Sequence, residues 1–207
     1  DARIAAMEAI VYRTAGLLEH ALTQVNGGDS EDALKKIGEY AMECSVVKVY
    51  CSEALWWIAD ANVQVHGGYG FTEHYAAERG LRDSRINRIF EGTNEVNRLV
   101  IFDSFVRRKV LRSLRTTDFW MHFDHLSNAK RALVVRIARM LRRYRKDIIN
   151  HQVLMGAASD DIIDLYVRDS LMAAETKHPA YARVLAVRLL DDPESEADID
   201  AIVKTLP

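Results

Sequence analysis

Residues 64–96 read QVHGGYGFTEHYAAERGLRDSRINRIFEGTNEV. Two glycine-containing breaks, one at 67–70 and one at 92, interrupt a chain otherwise rich in helix formers. Glycine weakens helix interiors and serves where the backbone must turn sharply or let another group come close. Between the breaks the pattern predicts a short helix over 75–83 and an irregular stretch through SRINRIFEGT. That stretch ends on Glu91, a lone carboxylate immediately ahead of a helix start.

Thr93 suits a helix N-cap, since its hydroxyl can accept from an amide two or three residues on. The amides of Asn94, Glu95 and Val96 then lack intrahelical partners, and such a terminus favours an anion such as a phosphate. Gly92 removes the side chain that would block access. Glu91 follows Ile89 and Phe90, so apolar surroundings are expected; desolvation would raise its pKa toward the range of a general base. The same residues also fit a plain capping junction with a solvated glutamate. Upstream, Gly67, Gly68 and Gly70 end a long helix with little side-chain bulk. They either admit another backbone or a dinucleotide closely or form an ordinary glycine stop. Because GGYG follows a helix rather than a strand, it is not a Rossmann turn.

Working outward, apolar residues at Ile4, Met7, Ile10, Val11, Leu17, Leu18, Leu22 and Val25 recur near the helical period and predict a helix over 3–25, stopped by NGG at 26–28. A second helix is predicted from 31 to 66, about 50 Å long, with Trp56 and Trp57 packed in a core. A third is predicted over 94–111. RSLRTTD at 112–118 reads as a linker, and further helices are expected over 127–154, 160–176, 179–190 and 196–205, divided by MGAASDD, KHP and DDPES. With 207 residues, 49% hydrophobic, ten glycines and three prolines, the composition supports an all-α fold. The expected architecture is an up-and-down four-helix-type bundle over 1–112 followed by a smaller helical C-terminal extension over 118–207. The first helix begins almost at residue 1, which leads us to expect upstream sequence.

A formal charge of −2 gives no overall attraction to nucleic acid. Cys44 and Cys51, about 10 Å apart along one helix, are too far apart for a disulfide and fit a reducing compartment. No apolar run approaches the length of a membrane span. Residues 130–146 hold eight Lys or Arg residues. Arg131, Arg136, Arg139, Arg142, Arg143 and Lys146 share one face, opposite Leu133, Ile137, Met140, Leu141, Tyr144 and Ile148. Such a helix can lie on an anionic membrane. The preferred expectation is a solvated face, or one paired with acids such as Asp191, Asp192, Glu194 and Glu196. HFDH at 122–125 has too few converging ligands for a metal.

Taken together, QVHGGYGFT, then ER and LRDSRI over 78–86, then IFEGTNEVNRLVI, with Glu91 27 positions after Gln64, resemble the C-terminal region of the acyl-CoA dehydrogenases. The resemblance covers about residues 3–112, and the remainder resembles more loosely the extension of the very-long-chain type. It implies FAD-dependent α,β-dehydrogenation of fatty acyl-CoA thioesters, as in β-oxidation. Glu91 would act as the α-proton base and Gly92 as a substrate contact. Thr93, Asn94 and Glu95 would lie against the flavin's phosphates and ribityl chain. Gln64, Val65, His66, Gly67 and Gly68 would approach the FAD of a neighbouring protomer in a homodimer or homotetramer. Acyl-CoA and an electron-transfer flavoprotein are the implied partners, with possible membrane contact through 130–146. The implied location is the bacterial cytoplasm, or the matrix side of the mitochondrial membrane in a eukaryote. The family's flavin-covering domains are not in these 207 residues, so this stretch alone is expected to be inactive. An acyl-CoA oxidase and a non-catalytic helical interaction protein are the alternatives.

Overall fold

The computed structural model describes residues 2–25, 30–111 and 128–174. Among them every regular element is helical, as the composition predicts. In chain order these are α1 (Ala2–Thr23), α2 (Ser30–Gly38), α3 (Ala41–His66), a 3₁₀ turn (Gly67–Phe71), α4 (Ala76–Ile86) and α5 (Asn94–Phe105). A π-helical turn (Val106–Leu111), α6 (Asn128–Tyr144), a second 3₁₀ turn (Arg145–Asn150) and α7 (Gln152–Ala173) follow.

Helix α3 is the centre of the bundle, packing against α1, α4 and α5, while α7 lies on α1 and α5 and α6 lies on α7. Ile10 of α1, Val46 and Val49 of α3, Ile101 and Phe102 of α5, Ile137 of α6, and Val167 and Leu171 of α7 all enter one apolar cluster and are almost fully buried. At about 1.5–3 kcal/mol per large apolar side chain removed from water, this cluster dominates the favourable side of folding. Helices α6 and α7 therefore share their core with the first half of the chain.

Several boundaries differ from those predicted. The single helix over 31–66 is interrupted after Gly38, where Glu39 and Tyr40 make turn bonds to Lys35, Lys36 and Ile37 before α3 begins. A glycine has no side chain to hold the helical geometry and more backbone entropy to lose. The helix predicted over 94–111 is α-helical only to Phe105. The division expected at MGAASDD is absent, and α7 runs straight through it. Met155, Ala158 and Ser159 are buried against the bundle, and the Ser159 hydroxyl donates to the Arg98 carbonyl at 2.6 Å and the Met155 carbonyl at 2.9 Å. Small residues read as a loop signal are here a close helix contact. The break falls instead at Arg145, whose φ of 48° lies in the left-handed region.

Trp57 also departs from expectation. It is 52% exposed, with the Arg3 guanidinium 4.2 Å from its ring centroid, so it is a surface aromatic under a cation rather than core. Trp56 is half-buried, 5.9 Å from Arg85. The predicted linker at 112–118, the helices over 179–190 and 196–205, HFDH at 122–125 and the acids Asp191, Asp192, Glu194 and Glu196 lie outside the described residues. On the basic helix, Leu133 and Ile137 face the core. Lys130 pairs with Asp169 at 2.5 Å and Arg136 with Asp161, while Arg139, Arg142, Arg143 and Lys146 are exposed.

Candidate active site

The two glycine breaks have different constructions. At the first, α3 ends at His66 and the chain turns through Gly67 at φ 60°, a conformation open to glycine and strained for other residues. A Cβ on Gly67 or Gly68 would meet nothing within 4 Å, whereas on Gly70 it would lie 2.6 Å from the Val63 carbonyl oxygen and 2.7 Å from His66 Cβ. Gly70 is therefore the residue that lets the turn fold back onto α3. Gly67 and Gly68 leave an open surface beside the exposed Gln64, Val65 and His66, with Tyr69 and Phe71 also exposed. The Asn62 carbonyl accepts from His66 Nδ1 at 2.8 Å, which puts the hydrogen on Nδ1 and leaves Nε2 outward as an acceptor in the neutral ring.

The second break is tied down on every side. Glu91 has φ 56° and Gly92 φ 82°, so two consecutive residues occupy the left-handed region. The Gly92 carbonyl accepts from Lys48 Nζ at 2.7 Å and from Asn97 Nδ2 at 2.9 Å. The Asn94 amide donates back to the Arg88 carbonyl at 3.1 Å, closing the loop. Thr93 is the N-cap, as predicted, with its hydroxyl accepting from the Val96 amide at 3.3 Å.

The free amides expected at this terminus are engaged. Asn94 bonds Arg88 and Val96 bonds Thr93. The Glu95 carboxylate turns back to accept from its own amide and from the Thr93 hydroxyl, bonds that hold its pKa below the usual carboxylate range. An acidic residue in the first turn satisfies the terminus that a phosphate would otherwise claim. The Asn94 side chain, expected to meet a cofactor, is fully buried between α3 and α5. Its Oδ1 accepts from Lys48 Nζ at 2.7 Å, and its Nδ2 donates to Ser52 Oγ and Glu53 Oε1, both at 3.0 Å. The side chain and the amide of Asn94 are thus both engaged within the protein.

Behind Asn94 stands an ion-paired frame. Arg98 grips both oxygens of Glu53, at 2.9 and 3.1 Å, and donates from Nε to Asp160 of α7 at 2.7 Å. Burial disfavours both charges, but the Arg98 and Asn94 hydrogen bonds outweigh it at Glu53 and hold that carboxyl below its ordinary pKa. Glu53 and Asp160 likewise push the Arg98 pKa up against desolvation. Lys48 and Glu53 carry no motif of their own, and Asn97 and Arg98 fall inside IFEGTNEVNRLVI without a role read for them. Only their spacing, with Lys48 and Ser52 four apart on one face of α3 and Asn94 and Arg98 four apart on α5, marks them as facing pairs.

Glu91 is exposed, and so are Ile89 and Phe90, at 47% and 48%. The apolar surroundings expected for the carboxylate are thus present as neighbours along the chain but do not enclose it. Side chains of α3 and α5 turn inward to brace the loop and leave Ile89, Phe90 and Glu91 facing out.

A family model described as the C-terminal domain of acyl-CoA dehydrogenase matches residues 1–105 of the 207. The chain belongs to the acyl-CoA dehydrogenase family. A probable acyl-CoA dehydrogenase of Bacillus subtilis is 53% identical over 109 residues, covering 51% of this chain and 18% of the relative. The bovine mitochondrial very long-chain specific acyl-CoA dehydrogenase is 26% identical over 204 residues, covering 79% of this chain and 30% of the relative. The crystal structure of an acyl-CoA dehydrogenase complexed with FAD from Bacillus anthracis matches with a TM-score of 0.78 at 31% identity, covering 98% of this chain and 39% of that one. The chain therefore spans between 18% and 39% of the lengths of these acyl-CoA dehydrogenases. The structural match extends over α6 and α7, beyond the reach of the family model.

FAD can be tested against what the residues offer. The backbone at Gly67 and Gly68 is open and bordered by exposed Val65, Tyr69 and Phe71, which leaves room beside it for a flat ring system. The engaged terminus of α5 does not offer a phosphate cradle. Among the described residues no cluster of three or more metal-ligating side chains occurs, and no helix is long and apolar enough to cross a membrane. Both cysteines are free, and burial pushes the Cys51 thiol up to about 11, so it stays protonated and unreactive.

Proposed function

We propose that this chain is the base-carrying helical part of an FAD-dependent acyl-CoA dehydrogenase acting on fatty acyl-CoA thioesters, with Glu91 removing the α-proton. The observation that supports it most directly is the turn at Glu91 and Gly92. A charged residue held in the left-handed region costs about 1–2 kcal/mol and persists where the surroundings over-determine it, as at functional sites. Here that residue is the one carboxylate of the family-like IFEGT stretch, presented outward rather than used in the bundle.

A proton beside a thioester carbonyl is weakly acidic, so the base must be fixed and shielded from water as the proton moves. Glu91 takes the proton on a carboxylate oxygen. Exposed Ile89 and Phe90 supply an apolar border that excludes water once a covering surface and the acyl chain meet them. Gly92 lets the thioester approach the backbone without a side chain in the way. Bound FAD supplies the acceptor for the β-hydride. Gln64, Val65, His66, Gly67 and Gly68 would hold the cofactor of a neighbouring protomer, and Thr93 and Glu95 would face the chain's own. Acyl-CoA, a second copy of the chain and an electron-transfer flavoprotein are the partners, and the bacterial cytoplasm or mitochondrial matrix the setting.

The test is Glu91→Gln in the full-length protein. Acyl-CoA binding should persist within about tenfold while dehydrogenation falls by roughly two to four orders of magnitude, as when a general base is removed from a proton-abstraction step. Retained turnover in that variant overturns the assignment.

A further inference from the structure

We propose that Lys48 is a positioning residue for Glu91: by donating to the Gly92 carbonyl and to the Asn94 side chain, it holds the turn that aims the carboxylate. The inference rests on reading Glu91 as the base. Its own observations are geometric. Two successive left-handed residues, at φ 56° and 82°, need a restraint, and the peptide that follows them is the one that Lys48 grips at 2.7 Å. The ammonium's second hydrogen bond, also 2.7 Å, goes to Asn94 Oδ1, an atom fully inside the bundle. Lys48 therefore bridges a strained surface peptide to a fixed internal point.

The internal point is fixed because Asn94 is held from both ends. Its Nδ2 donates to Ser52 and Glu53, and Glu53 is clamped by Arg98, which is in turn held by Asp160. Ser52 is anchored by its own bond to the Val49 carbonyl at 3.0 Å. Charge matters as well as reach, because an ammonium bonds a carbonyl more strongly than a neutral donor does. Partial burial draws the Lys48 pKa down while Glu95 and Glu53 draw it back. Asn97, the other donor to Gly92, sits one turn into α5 and also bonds the Thr93 carbonyl at 3.1 Å. It follows the local helix, whereas Lys48 ties the turn across to α3.

The experiment compares Lys48→Met, Lys48→Arg, Asn97→Ala and Glu91→Gln in the full-length holoenzyme. It reads kcat, KM, thermal midpoint and amide hydrogen exchange of residues 89–97. Lys48→Met should lower kcat roughly ten- to hundredfold with KM changed less than about threefold, the mark of a misaimed base rather than lost binding. Exchange should quicken at 91–94 and stay at its original rate in the rest of α3 and α5. Lys48→Arg, which keeps the charge and donors, should recover most of both. Wild-type kcat and exchange in folded Lys48→Met overturn the proposal. If Lys48→Met does not fold, Lys48→Arg and Asn97→Ala decide. Exchange at 91–94 that stays near wild type in both supports the clamp, since the cation then holds the Gly92 carbonyl without Asn97; exchange that quickens sharply in Asn97→Ala, with kcat lowered, gives the hold to Asn97 and overturns it. Turnover by Glu91→Gln refutes the base assignment instead, and the exchange data still judge the clamp separately.

Discussion

The two glycine breaks have the same outward look in the sequence and opposite designs in three dimensions. At Gly67–Gly70 the side-chain bond on the turn is a local one, from the Thr72 hydroxyl to the Tyr69 carbonyl, with open space beside Gly67 and Gly68. At Glu91–Gly92 the backbone is equally bent but is held by side chains from both α3 and α5. An open shelf suits a surface that receives something large and flat. A braced turn suits a side chain that must point one way. Loss of conformational freedom has been settled in advance at the second break and left open at the first, which is the distinction between docking and aiming.

The comparison breaks most visibly at Arg98. Arg98→Ala strands Glu53, a partly buried carboxylate, and frees Asp160, and should destabilise the protein by about 3 kcal/mol. In a denaturant titration the midpoint should fall while the slope is unchanged. A loss below about 0.5 kcal/mol, the range of ordinary surface changes, would mean that the frame behind Asn94 is ornamental. The first break should respond by position. Gly70→Ala drives a Cβ to 2.6 Å from the Val63 carbonyl oxygen, an overpacking that should cost about 1–3 kcal/mol. Gly68→Ala meets no atom and should be neutral within about 0.5 kcal/mol. In the full-length protein it should nevertheless weaken FAD retention if the shelf takes the cofactor. Equal stability losses in the two variants would erase the distinction between a packing glycine and an open one.

Much of this was legible in residue patterns. Helix α1 follows from apolar periodicity, α3, α4 and α5 from runs of helix formers set off by the glycine breaks, and Thr93 was readable as a cap because hydroxyl capping is local. Gly92 was readable as a bare position beside the carboxylate, but the left-handed φ at Glu91 itself was not. What escaped was non-local. Lys48 is one charged residue on a helix flank until Gly92, 44 residues later, folds against it. The MGAASDD stretch carries loop-forming residues, yet Ala158 and Ser159 were small because α7 needed to approach α5. Trp57 is apolar enough for a core, but the cation at Arg3 gave it a surface role. The engaged terminus of α5 depended on Glu95 folding back, a rotamer choice that residue spacing does not contain.

The smallest effect lies at the far end of the frame, in α7, where Asp160 holds Arg98. Asp164 is drawn up to about 6 by burial and then by the nearby carboxylates of Asp160 and Asp161, with Arg98 pulling the other way. An acid whose pKa is higher folded than unfolded favours the native state only while it is protonated. Below the ordinary aspartate value of 3.8 the native state pays no ionisation penalty; as pH rises from there through about 6 the stabilisation is lost, and above that the loss is constant. Glu53 has the opposite sign, its contribution being present above its ordinary value of 4.5 and lost as pH falls through its lowered native pKa. Asp164→Asn should therefore leave stability near pH 4 almost unchanged and raise it at pH 7.5 by about 1 kcal/mol, allowing for solvent screening. Removing that charge also leaves Asp160 with one repulsive neighbour fewer as it holds Arg98. Thermal midpoints of variant and wild type taken from pH 4 to 8 should diverge as pH rises. If the two curves run parallel, Asp164 is ionised without penalty in the folded chain, and the charge on α7 has no hold on the frame behind Glu91.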